Sequence, residues 1–430
     1  MSRTGAIAAC VASALSLIGC TSADRGATAD TVVVTSSTAV PRVDDRVLRI
    51  GVLLPSSGEG ASIGQSAEAA IRVAVAAANA AGGVNGEDVT LLVRDEGADD
   101  ATAALGLQSL LESNVDVLIG PASSNTTIAL APTIVGAGLA TCSPSASALS
   151  LDDFPDNNLF FRTIPSDSVQ AEAMARVIEQ TGETSVAIAF IDDGYGRPFE
   201  QMLQIRLRAR GIVVDDEVGF SADDDEYNTE AQRLVRAGTG AIALIGDPEA
   251  GSRMLAALAE ETKDQPRDIV LNDALRRPWS LSLLESVTET TRSRIVGVSP
   301  AVLTENLELL EMMKAEDPTA TGLFAGQAFD CANLFMLAAL KTNSSDPVIL
   351  AAAIPDISSV GSSCSTFAVC ATIVREDRSI DYEGADGLLA LGPNGDPVTA
   401  RYEQFSFDDT GRDVTSRLIT VSLFDSSLGS

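Results

Sequence analysis

Val115-Asp-Val-Leu-Ile-Gly-Pro-Ala-Ser-Ser-Asn-Thr-Thr-Ile-Ala-Leu-Ala131 is the stretch whose reading decides the fold. A short apolar run rich in β-branched residues stops at Gly120-Pro121, hydroxyl residues follow, and an apolar helical pattern begins. The pattern predicts a buried strand, a tight turn and a helix whose first turn is Ser123–Thr127. N–H groups at such a helix start lack intrahelical partners, and the helix dipole favours negative charge there. The turn is therefore a candidate carboxylate site. The alternative is that the hydroxyls only cap the helix.

Outward from this stretch the same unit repeats. On its N-terminal side, Val47–Leu54 reads as a strand ending at Pro55, followed by a small-residue loop, 56–62, and an alanine-rich helix, 63–81. Gly82-Gly83 caps that helix and leads to a strand at 89–94 and a helix near 100–112. On its C-terminal side, the strand 139–143 ends at Pro144-Ser-Ala-Ser147. Alternating strands and helices predict a parallel sheet covered on both faces. Ligands of such sheets sit beyond the carboxyl ends of the strands, where three donor-rich loops fall: 55–62, 120–127 and 143–147.

After Phe160-Phe-Arg-Thr163 a second βα series begins: helix 166–180, strand 185–191, the loop Asp192-Asp-Gly-Tyr-Gly196, and a helix around 199–210. Strands follow at 212–217, 241–245 and 268–271; the last two end at Gly246-Asp247 and Asn272-Asp273. Helices near 305–314 and 325–341 and strands near 388–391 and 402–407 complete the chain. Most of these late elements are expected to return to the first lobe. The fold class expected is α/β, with two doubly wound parallel-sheet lobes joined by a hinge.

Composition narrows the function. The chain has 430 residues, 45% hydrophobic, which is enough for two domains. A net charge of -31 repels phosphate backbones and argues against nucleic-acid binding. Only 4% of residues are aromatic, which disfavours a sugar cleft. Histidine is absent, removing the commonest general base and metal ligand, and there is no Walker A loop and no CxxC motif. No enzyme activity, cofactor or metal is expected, although a hydrolase using paired carboxylates alone stays open.

Residues 1–20 carry one arginine, a short apolar run and Leu17-Ile-Gly-Cys20. This is the plan of an export signal, too short to remain as a membrane span. Residues 21–45 read as a flexible tether. In an exported chain Cys364 and Cys370 are the expected disulfide pair, while Cys142 and Cys331 either pair or stay as buried thiols.

Leu17–Cys20 resembles the lipobox of bacterial lipoproteins, whose cysteine is acylated; Cys20 would then anchor the chain to the outer face of the cell membrane. The rest resembles the type I periplasmic substrate-binding proteins of the leucine/isoleucine/valine-binding branch, which serve ABC transporters. The resemblance rests on the order and spacing of Ile50-Gly-Val-Leu-Leu-Pro-Ser-Ser-Gly58, Asn79–Gly86, Gly120-Pro-Ala-Ser-Ser124, Ser143-Pro-Ser-Ala-Ser147, Phe161-Arg-Thr-Ile-Pro-Ser166 and Asp193-Gly-Tyr-Gly196. Ile380–Gly387 and Asn394-Gly-Asp396, with the Cys364–Cys370 loop, are similar to actinobacterial members.

The resemblance implies that Ser124, with Ser145, Ala146 and Ser147 and support from Ser57, takes a ligand carboxylate in the first lobe. Tyr195 would match the family's aromatic hinge-side residue of the second lobe, and Asp273 would face the ligand's amino group. Lobe 1 would comprise 46–163 and 299–395, lobe 2 164–298 and 396–425, with closure at crossovers near Thr163 and Val298. Two departures stand out: Gly246-Asp247 replaces a family tyrosine, and Ile63 replaces a ring near the first loop. Asp247 is read either as a carboxylate favouring a cationic ligand or as a cap before Pro248. Tyr195 and Asp273 have the alternatives of packing and of an ordinary loop acid. The expected partners are a small amino acid or amide and an ABC permease; the competing reading is a ligand-sensing subunit of a membrane receptor.

Overall fold

The computed structural model describes residues 43–58, 60–276, 287–301, 306–387 and 389–422. The leader, Cys20 and nearly all of the tether lie outside the described residues. Among them, no helix is long and apolar enough to cross a membrane.

The first sheet is built from β1 (Arg49–Leu54), β2 (Thr90–Asp95), β3 (Val117–Ile119), β4 (Ala140–Ser143) and β5 (Phe160–Arg162), in the order β2-β1-β3-β4-β5 and parallel throughout. Its helices include α1 (Ala61–Ala80), α2 (Asp100–Glu112) and α3 (Ser124–Gly136). β3 is fully buried, as expected of a central parallel strand. Gly120 takes φ 103°, and a Cβ there would lie 2.0 Å from the Leu53 carbonyl oxygen, so only glycine closes this turn against β1.

The second sheet repeats the winding with α4 (Asp167–Thr181), β6 (Ser185–Ile191), α5 (Gly196–Ala209), β7 (Val213–Phe220), α6 (Asn228–Ala237), β8 (Ala241–Ile245), α7 (Ala250–Glu261), β9 (Ile269–Leu271), α8 (Glu289–Arg292) and β10 (Ile295–Pro300). Its parallel part runs β7-β6-β8-β9-β10, the order of the first sheet over again. In each sheet the winding reverses between the first strand and the third, β1/β3 in one and β6/β8 in the other. That reversal opens a crevice at the carboxyl ends.

The chain between the sheets forms α9 (Leu307–Glu316), α10 (Ala325–Thr342), α11 (Pro347–Ile357), β11 (Ser362–Cys364), α12 (Phe367–Arg375) and β12 (Ile380–Tyr382). α10 is apolar nearly all round and buried, sharing one core with α1, β1, β3 and β4. Two disulfides tie this region down: Cys142–Cys331 joins β4 to α10, and Cys364–Cys370 joins β11 to α12. The stretch around Cys364, polar by its sequence, is thus a short strand followed by a helix that buries Phe367, Cys370 and Ala371.

One late expectation needs correction. Among the described residues of 388–391 there is no strand; Leu391 forms only an isolated bridge with Pro397. The late strands join the second sheet: β13 (Thr399–Phe407) pairs antiparallel with β10, and β14 (Asp413–Ser422) pairs with β13. The second sheet is therefore mixed. β14 escapes a reading by alternation because Val414 and Leu418 stay exposed on this edge strand, which blurs its apolar face.

Candidate ligand-binding site

The turn at 120–127 is built as its sequence suggests, and Ser123 caps α3 by accepting the Thr126 N–H at 3.4 Å. Its amides are not all open, however. The Ala122 and Ser123 N–H groups donate to the two carboxylate oxygens of Glu96, at 2.7 and 2.9 Å. Glu96 is only 2% exposed, and burial pushes its carboxyl up to about 7 against the lowering effect of those two bonds. The neighbouring Asp95 does the same for the first loop. It accepts from Ser56 N–H, Ser57 N–H, Ser57 Oγ and Gly97 N–H, and these bonds outweigh burial to hold its carboxyl at about 2. Ser57 is thus exposed and engaged with Asp95.

What the turn leaves open is the helix start itself. Among the described residues, the backbone N–H groups of Ser124, Asn125 and Ser147 have no partner. The side chains around them lock the two loops together. Ser124 Oγ accepts the Ala148 N–H at 3.2 Å, and Ser145 Oγ donates to the Ala122 carbonyl at 2.9 Å. Ser143 Oγ donates to Pro121 O at 2.6 Å and accepts the Ala146 N–H at 3.0 Å. The Ser124, Ala146 and Ser147 positions are all buried.

Facing elements come from the second sheet. Asp193, at the end of β6, accepts the Tyr195 and Gly196 N–H groups and also the Asn125 side-chain amide at 2.8 Å, a direct link between the two walls. The Tyr195 ring packs against the first-wall cluster of Ala146, Ala148, Leu151 and Phe160, and its hydroxyl accepts from Asn272 Nδ2 at 2.8 Å. Asn272 also pairs both ways with the Gly246 backbone, so the ends of β8 and β9 are pinned together. Asp247 uses Oδ1 to accept the Ala250 N–H at 2.6 Å, capping α7. Ile63 packs with Ile164, Leu323 and Phe324.

Two buried carboxylates of this wall pin no pair of loops together. Asp273 is 4% exposed, and burial raises its carboxyl to about 6; it accepts the Ala274 N–H and lies beside the Gln170 side chain. Asp167, the first residue of α4, is wholly buried. Burial, then the charge of Asp273, push its carboxyl well above the usual range. The Ser147 side chain lies near it, but neither carboxylate oxygen reaches a hydrogen-bond partner in this structure. Its N–H donates to the Ser147 carbonyl at 2.9 Å. The nearest cation, Arg162, is already engaged by Asp396 (2.6 and 2.7 Å), Asp152 (2.6 Å) and the Ala148 carbonyl. Sequence reasoning misses Asp167 because Ser166-Asp167 also reads as an ordinary helix start.

No group of three or more His, Cys, Asp or Glu is arranged to hold a metal ion among the described residues. A cavity of about 200 Å³ lies elsewhere, at the crossovers, lined by Thr163, Pro300, Gln327, Asp330 and Arg401, and it includes none of these groups.

Two sheets wound alike, with donor-rich loops on one wall and buried acids on the other, define a two-lobed binding protein. Residues 47–360 match the periplasmic binding protein family, and the chain belongs to it, in the type I branched-chain amino acid branch. It is 28% identical over 363 residues to the "chemotactic signal transduction system substrate-binding protein BasB" of Halobacterium salinarum, covering 81% of this chain and 84% of that one. Among solved structures it superposes on the branched-chain amino acid transporter substrate-binding protein LivJ of Streptococcus pneumoniae in complex with isoleucine. There the TM-score is 0.70 at 19% identity, over 87% of this chain and 99% of that one. A solute-binding protein of an ABC transporter from Rhodopseudomonas palustris, in complex with p-hydroxybenzoic acid, gives a TM-score of 0.72 at 20% identity, over 87% and 97%. The relatives are solute-binding proteins, not enzymes.

Proposed function

We propose that the chain is a lipid-anchored extracytoplasmic receptor that closes on a small amino acid and presents it to an ABC importer. In this reading the first sheet with 46–163 and 299–395 forms one lobe, and 164–298 with 396–425 forms the other. The ligand carboxylate meets the open amides of Ser124, Asn125 and Ser147, with Ser145 and Ala146 holding the loop. The ammonium meets Asp273 and Asp167, with Tyr195 covering it. Ser57 and Asp247, engaged as caps, stand outside the ligand shell.

One observation carries the reading: two buried carboxylates lie near enough for the charge of Asp273 to raise Asp167, and neither forms an ion pair among the described residues. An unpaired buried carboxylate is costly, whereas charge-assisted hydrogen bonds to it contribute about 1.5–3 kcal/mol each. This favours amino acids over simple acids such as the p-hydroxybenzoate held by the Rhodopseudomonas palustris protein. The test is a thermal-shift panel of amino acids, amides and plain carboxylic acids. A ligand at 100 times its Kd should add about 2.7 kcal/mol. A panel in which only plain acids shift the transition, or nothing does, refutes the amino-acid reading. Labelling with a fatty acid analogue, lost in Cys20→Ser, tests the anchor.

A sensing role is the second reading, favoured by the chemotactic relative. Deletion of this gene should abolish uptake of the ligand in the first case. In the second, it abolishes a behavioural response while uptake persists.

A further inference from the structure

The chain has four tyrosines, and three have partners for their hydroxyls. Tyr195 accepts from Asn272, Tyr227 donates to the Ser221 carbonyl at 2.6 Å, and Tyr382 donates to Asp330 at 2.7 Å. The fourth, Tyr402, is fully buried, and its hydroxyl meets no hydrogen-bond partner. Tyr402 sits on β13 opposite Pro300, six residues after Asp396, which holds Arg162. Its side chain belongs to the core on the α4 side of the sheet that also holds Val169 of α4 and Val298 of β10.

The groups around that hydroxyl come from several elements. Burial first, then the charges of Asp167 on α4 and Asp273 beyond β9, hold the phenol well above its usual range, while Arg162 of β5 opposes them. α4 packs on β13, and Val169, two residues along α4 from Asp167, shares a core with Tyr402, so the unpaired hydroxyl and the unpaired carboxylate of Asp167 sit on packed neighbouring elements. Buried polar groups without partners are rare in folded proteins, and each calls for an absent partner. A shared partner accounts for both.

Resting on the amino-acid reading above, we propose that Tyr402 is a specificity-determining residue of the ligand site, and that with Asp167 and Asp273 it selects a primary ammonium. An ammonium has three N–H donors and no acceptor. The two carboxylates accept two of them, and the Tyr402 oxygen accepts the third. Its own O–H then turns to Asp167. A ligand with one N–H replaced by N–CH3 leaves one acceptor empty and presses a methyl group against buried oxygens. The strand that carries Tyr402 follows the crossover at Asp396, so the same contact ties the occupied ammonium pocket to the hinge.

Tyr402→Phe removes one oxygen and keeps the ring. The experiment titrates wild type and this variant by calorimetry, with the best amino acid from the panel and with its N-methyl analogue, and melts both ligand-free proteins. Wild type should bind the primary amine at least 100-fold more tightly than the N-methyl form. The variant should lose about 10-fold for the primary amine and less than 2-fold for the analogue. Its ligand-free melting temperature should stay or rise, because an unpaired hydroxyl has been deleted. Equal loss for both ligands, no loss for either, or a lower ligand-free melting temperature overturns the proposal. If wild type binds no amino acid at all, the amino-acid reading fails and takes this inference with it. If wild type binds and the variant does not discriminate as described, only the inference fails.

Discussion

The two walls of the cleft handle charge in opposite ways. On the first wall, Asp95 and Glu96 are surrounded by donors, and between them they satisfy the backbone of the loops after β1 and β3. On the second wall, Asp167 and Asp273 are buried with few donors and no free cation among the described residues. Carboxylates adjacent in sequence to a strand end can therefore be scaffold, while equally acidic residues at other strand ends are left for a ligand. The difference lies in what the donors are, not in the residue type: backbone amides of the loops after β1 and β3 on the first wall, against the adjacent Ala274 amide and the Gln170 side chain at Asp273 and no partner at the Asp167 oxygens.

The comparison breaks most sharply at Glu96. Glu96→Ala removes the acceptor of two part-buried amides, charge-assisted bonds worth about 1.5–3 kcal/mol each, so chemical denaturation should show a loss of about 3–6 kcal/mol and weaker ligand binding. Asp273→Asn should act the other way on the ligand-free protein. Removing a carboxylate raised to about 6 from an ordinary 3.8 adds up to about 3 kcal/mol of stability at pH 7, while ligand affinity falls at least 10-fold. A loss of stability in Asp273→Asn would place that residue with the scaffold acids instead.

The pH profile sharpens the same contrast. Glu96 at about 7 and Asp273 at about 6 both lie above their ordinary values of 4.5 and 3.8, so the folded protein takes up protons before the unfolded chain does. Stability of the ligand-free protein should therefore rise as pH falls from about 7 to about 4.5. Asp95, held at about 2, contributes with the opposite sign, and that contribution is lost only below about pH 4. Denaturation midpoints between pH 4.5 and 8 check this, and a midpoint that climbs with pH over that range contradicts it. The smallest effect belongs to Ser57→Ala, which removes one exposed bond to Asp95. Its cost should be under about 1 kcal/mol, with ligand affinity unchanged in calorimetry.

Much of the frame is legible in the residues alone. The buried runs 50–54, 117–119 and 241–245 are strands, and the chain turns at Gly120 as its Gly-Pro pair implies. The helix breaks and the three hydroxyl loops are visible because capping and periodicity are local. The late chain is harder. β14 exposes apolar residues at an edge, and α12 opens within a stretch whose residues suggest only a cysteine loop, so neither carries a clean period. The loss of two open amides to Glu96 is equally hidden, since Glu96 lies 26 residues from Ala122 and meets it only through strand pairing.

By itself, the sequence determined the alternation of strands and helices, the positions of the strand ends, the absence of histidine chemistry and the acidity. These follow from periodicity and composition, which neighbours along the chain suffice to express. Only the tertiary structure decided the rest. It placed β13 and β14 on the second sheet, closed Cys142 onto Cys331, engaged Asp95 and Glu96 as loop caps, and left Asp167 and Tyr402 without partners. Whether a buried polar group is satisfied depends on groups brought up from distant parts of the chain. Binding sites are written in what those groups leave unsatisfied.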